Sequence, residues 1–174
     1  MLSYFLLHAV IVLLLAVLIY QDFAWRSVNW FLLFSLVLCQ SGLTYLTVGK
    51  EDMFFYAGIN TMLLIFQFLL LTIYFSIRSH RLTNIVNKFI GIGDLIFFLF
   101  LGFAFSPFNF MLFFIISLVL TLIIYAVLVR GKKEQYKIPL LGNMAVFYIV
   151  LLIIEQVSRF DRFDDTFMVY LFLE

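Results

Sequence analysis

Gly91-Ile92-Gly93-Asp94, followed by the apolar run 95–106, decides how this chain is read. It sets a carboxylate at the head of a stretch that is otherwise hydrocarbon. An Asp at the centre of a membrane helix costs about 2.5–3.5 kcal/mol on insertion scales, so acids there are rare and point to function by default. Two glycines just before it let the backbone pack closely or leave regular helix.

The surroundings are those of a bilayer protein. Of the 174 residues, 66% are hydrophobic and only 12% are charged, half the charge of an ordinary soluble domain (about 25%). Charged and turn residues divide the chain into six apolar segments, 2–20, 29–48, 53–77, 89–106, 108–129 and 138–157. Each is close to the ~20 residues that cross ~30 Å of hydrocarbon. The expected fold is therefore an all-α integral membrane domain of six transmembrane helices over residues 1–174, with 160–174 as an outer-face tail. The first segment lacks a basic leader and a small-residue cleavage site, and reads as a retained helix rather than a signal peptide.

Basic residues orient the spans. Arg26 lies in the first loop; Arg78, Arg81 and Lys88 lie in the third; Arg130, Lys132, Lys133 and Lys137 lie in the fifth. The second loop has Lys50 beside Glu51 and Asp52, and the fourth, 106–109, has no charge. The positive-inside rule then puts odd loops in the cytoplasm and both termini outside. Net charge is +1, which gives nucleic acid no hold on the chain; the expected surroundings are membrane lipid. The single cysteine, Cys39, excludes an internal disulfide and a cysteine-cluster zinc site.

With this orientation the first span delivers Asp22 to the cytoplasmic side, and the fourth starts there with Asp94. Two acids so arranged suggest an aspartyl protease working within the membrane. One carboxylate, ionised, activates water; the other, protonated, holds the scissile carbonyl. Carboxylates about 3 Å apart cannot both ionise, so the pair shares a proton and titrates as a unit. No metal or cofactor is called for. Plainer roles stand beside this one. Asp22 has Arg26 four residues on, at salt-bridge spacing, and Asp94 alone suits a proton-relay or carrier site. His8 and His80, lacking a second ligand at metal spacing, are expected to be packed or interfacial. Glu155 and Gln156 close the last segment on the far side. Asn84 and Asn87 belong to a loop or helix start. The tail 160–174 alternates acids and aromatics, as an interfacial amphipathic segment or a partner-binding one does.

Asp22-Phe23-Ala24-Trp25-Arg26-Ser27-Val28-Asn29-Trp30 resembles the first catalytic motif of the type IV prepilin peptidases, an Asp, three residues, an Arg and a short run ending in Asn. Gly91-Ile92-Gly93-Asp94 resembles their second, and Lys137-Ile138-Pro139-Leu140-Leu141-Gly142 looks like a reduced form of the Ile-Pro-Phe-Gly-Pro segment that opens their last helix. The resemblance implies Asp22 and Asp94 as the catalytic dyad. Gly91 and Gly93 would shape the backbone beside the second acid, with Arg26 and Asn29 supporting the first motif. It implies an enzyme of the bacterial or archaeal cytoplasmic membrane that cuts the leader from prepilins or pseudopilins, just before the substrate's hydrophobic signal helix. Ile96 stands where the family has lysine. The family's cysteine-rich methyltransferase insertion is absent, so a peptidase without methylation is expected. The rival expectation is a non-catalytic relative that binds pilin-like helices, or a small carrier using Asp94.

Overall fold

A computed structural model describes residues 2–79, 91–129, 139–158 and 160–166. They form six α-helices, α1 (Leu2–Trp25), α2 (Trp30–Val48), α3 (Lys50–Ser79), α4 (Ile92–Ala104), α5 (Pro107–Val129) and α6 (Leu140–Val157), with no strand among the described residues. Arg81, Lys88, Arg130, Lys132, Lys133 and Lys137, on which the orientation rests, lie outside the described residues, as do His80, Asn84, Asn87 and Ile138.

Local chemistry sets the helix ends. Asn29 caps α2, its side-chain oxygen accepting the Phe31 N–H at 3.0 Å; this is the usual work of an Asn one residue ahead of a helix. α2 ends at Gly49, whose φ of 91° suits a residue without Cβ. Glu51 and Asp52 occupy the first turn of α3 and Arg78 its last, each sign matching the helix dipole. Pro107 opens α5 at the position where its missing N–H does no harm.

Five helices, all but α4, are long and apolar enough to cross a membrane. The chain is an all-α membrane protein. Many large apolar side chains lie on its surface, Met62, Val127 and Ile77 among them, as they do on a protein that meets lipid. The fourth span differs from expectation. Its helix has 13 residues, about 20 Å of rise against roughly 30 Å of hydrocarbon. Phe105 turns to extended backbone (φ −139°, ψ 153°), and Pro107 two residues on disfavours helix at Ser106.

α4 is the centre of the packing. It lies against α2 and α3, with lesser contact to α5 and α6, while α1 packs on α2 and α6. Its Phe97, Phe100 and Leu101 are buried with Leu15 and Leu18 of α1, Leu36 of α2 and Tyr148 of α6. The rings of Phe100, Phe105 and Phe113 surround Tyr148 edge-on, with centroids 5.3, 5.6 and 6.1 Å away.

Candidate functional site

Asp22 lies in the last turn of α1, which continues to Trp25, so the acid is within the helix and not beyond it. Its residue is 8% exposed. Carboxylate Oδ2 accepts the main-chain N–H of Gly142 at 2.6 Å, a bond between residues 120 positions apart. Gly142 is the third residue of α6, where N–H groups have no partner within the helix and are free for a ligand or side chain. A short N–H···O⁻ bond of this kind is among the stronger ones.

Asp94 is the third residue of α4, and its Oδ2 accepts the N–H of Gly91 at 3.1 Å. A side chain at this place reaching back to the cap N–H is half of a capping box. Each acid thus uses Oδ2 on a backbone N–H. Among the described residues neither Oδ1 has a hydrogen-bond partner.

The first turn of α6 links the two acids. Gly142 bonds to Asp22, while a Cβ built on Gly93 would lie 3.8 Å from Leu141 Cδ1 and 3.6 Å from Leu33 Cδ1. α1 and α4 share little direct contact, and it is the start of α6 that touches Asp22 on one side and Gly93, next to Asp94, on the other. Both acids therefore sit at one end of the bundle.

The supporting residues divide. Arg26 follows α1 with φ 52°, a left-handed conformation uncommon outside glycine; its N–H donates to the Asp22 carbonyl at 3.1 Å. Asn29 ties the two helices, its N–H donating to Gln21 Oε1 at 3.0 Å while its side chain caps α2. Gly91 has φ −72° and ψ 152°, and Gly93 is helical, conformations open to any residue. Neither needs glycine for backbone shape.

The glycine that matters to the site is Gly142. A Cβ there would lie 2.7 Å from Phe23 Cε2, closer than real Cβ atoms come, and 3.1 Å from Asp22 Oδ2, tight enough that one of the two must shift. The sequence signal was its place at the end of the third motif-like stretch. Nothing in its apolar neighbours pointed to Asp22.

His8 is buried with Nδ1 3.3 Å from the Tyr4 carbonyl. Among the described residues no three of His, Cys, Asp and Glu group closely enough to hold a metal ion. No family model matches the chain, and no curated protein or solved structure matches it either.

Proposed function

We propose that this chain is a membrane aspartyl endopeptidase of the prepilin peptidase type, with Asp22 and Asp94 as its catalytic pair. The observation that carries the proposal is the meeting of its three motif-like stretches at one end of the bundle. Asp22 accepts the Gly142 N–H at 2.6 Å, and Leu141 lies beside Gly93, next to Asp94. The Oδ1 atoms, without a hydrogen-bond partner among the described residues, suit the chemistry. One ionised carboxylate takes a proton from water as its oxygen adds to the peptide carbonyl. The other, protonated, donates to that carbonyl oxygen. Collapse of the tetrahedral species breaks the C–N bond, and the proton goes to the leaving amine.

The substrate class is a prepilin or pseudopilin whose hydrophobic signal helix enters between the protein's own helices. Its leader end unwinds beside the acids. Loop charges put this end at the cytoplasmic face of the cytoplasmic membrane, with both termini outside.

Co-expression with a tagged pilin-like substrate tests the proposal. Wild type removes a leader-sized mass; Asp22→Asn and Asp94→Asn each leave the substrate whole at unchanged protein level. Continued processing by both single variants sinks it. One observation favours a second reading, a binder that does not cut: Asp94 already closes the start of its own helix. Uncut substrate that co-purifies with wild type is the outcome that selects it.

A further inference from the structure

The end of the bundle opposite the acids is held by a residue with no part in the proposed chemistry. α4 stops well short of a full span, and helix carbonyls within a bilayer protein must find partners. Asn60 of α3 donates to Gly102 O and Phe105 O at 2.8 and 2.9 Å, and Thr44 of α2 donates to Phe103 O at 2.7 Å. Residues 160–166 fold back onto the same junction. The Ser106 N–H donates to Arg162 O at 3.2 Å, and the Ser106 hydroxyl donates to Asp165 Oδ1 at 2.5 Å. The Asn109 amide reaches Arg162 O and Asp164 O, both at 3.1 Å.

Arg162 anchors this hook. It is 0% exposed, a rare state for a residue of its charge. Its Nη1 donates to the Tyr148 hydroxyl at 2.8 Å, Tyr148 to Gln40 Oε1 at 3.1 Å, Gln40 to Thr44 Oγ1 at 3.2 Å, and Thr44 to the end of α4. All four bonds run the same way, so each polarises the next. Glu155 Oε1 lies 3.7 Å from Arg162 Nε, and the Phe163 ring centroid is 5.1 Å from the guanidinium carbon.

We infer that Arg162 is a positioning residue. It locks residues 160–166 against the α4–α5 junction, directly through its carbonyl and indirectly through the Tyr148–Gln40–Thr44 chain. In doing so it fixes the depth and rotation of α4, the helix that carries Asp94. α4 is one rigid rod of 13 residues, so a shift at its C-terminal end is felt at its start. The consequence for catalysis rests on the peptidase proposal; the clamp itself does not.

The test uses the full chain in nanodiscs with Cys39→Ser as background. A polar maleimide labels Phe163→Cys about tenfold more slowly than the exposed Asp161→Cys, and adding Arg162→Met brings the two within about twofold. Equal labelling of 161 and 163 without Arg162→Met refutes the clamp, and protection that survives Arg162→Met refutes Arg162 as its anchor. Gly93→Cys with Leu141→Cys reads the far end of α4. Their oxidative cross-linking falls several-fold with Arg162→Met, whereas unchanged cross-linking overturns the positioning role. Arg162→Lys, which keeps the charge but not the fork, recovers part of both signals and shows that the chain still folds. With a cleavable substrate, Arg162→Met lowers kcat about 10- to 100-fold with KM within about twofold. Activity lost in the Asp variants but unchanged in Arg162→Met leaves the peptidase standing and removes the catalytic consequence. Absent wild-type cleavage counts against the peptidase alone, because labelling and cross-linking still judge the clamp.

Discussion

The two polar ends of this bundle are built on opposite principles. Around Arg162, side chains from α2, α3 and α6 and from the hook form a chain of hydrogen bonds that ends on carbonyls of α4, although Arg162 Nε and Nη2 and Asn60 Oδ1 have no hydrogen-bond partner among the described residues. Around Asp22 and Asp94, each carboxylate has one backbone N–H and one oxygen without a partner among the described residues. Buried polar groups that bond across several elements tie those elements together. Acids with spare acceptor capacity can still bind water, a proton or a substrate. The same apolar setting gives one end stability and leaves the other available for chemistry.

The comparison is broken most decisively at Gly142. Gly142→Ala puts a methyl group against Asp22 Oδ2 and the Phe23 ring. Phe23 is 51% exposed and can swing away, but the carboxylate cannot move without losing its 2.6 Å bond. Displacement on the scale of an ångström costs about 10²-fold in rate, and that loss is expected in substrate cleavage. Phe23→Ala in the same chain should restore little. Full restoration would put the pinch at the ring and deny Gly142 a role in holding Asp22.

Asn60 sharpens the other side of the contrast. Its amide serves two α4 carbonyls, while its Oδ1 has no hydrogen-bond partner among the described residues, so among them it acts as a donor. Asn60→Leu keeps the volume but strands both carbonyls. The expected loss is about 2 kcal/mol, within the 1–3 kcal/mol of a buried group left unpaired. Asn60→Asp should cost more, although chemically it is the nearer relative, because it sets a carboxylate against two carbonyl oxygens. Unfolding in mixed micelles measures both. Equal stability of wild type and Asn60→Leu would mean that the α4 end is satisfied in some other way.

What the sequence revealed follows from the physics of each feature. The spans were legible because apolar run length is a direct record of bilayer thickness, and each observed helix overlaps its expected segment. The shortness of α4 was harder to see. Phe105 and Ser106 are as tolerable in a helix as in a cap, and only Pro107 hinted at the stop. Asp22 and Asp94 stood out because acids in such a setting are costly. Their connection through Gly142 did not, since a backbone N–H is present at almost every residue and carries no sequence signal. Arg162 was hidden for the opposite reason. In a run with Asp161, Asp164 and Asp165 it reads as a solvated tail charge, and only long-range packing buries it.

The smallest effect belongs to the rim of the hook, where Asp164 is solvent-exposed. Hydrogen bonds from the Thr166 N–H, at 2.8 Å, and from the Thr166 hydroxyl hold its carboxyl below the usual 3.8. A depressed carboxylate pKa contributes stability that is present above the unfolded value and is lost as pH falls through the folded one. The unfolding midpoint of wild type should therefore exceed that of Asp164→Asn slightly at pH 6. Below pH 3.8 the two should converge as Asp164 takes up its proton. An offset that stays constant through the acid range would assign the effect to the Asn side chain itself, and would remove Asp164's charge from the forces that hold the turn.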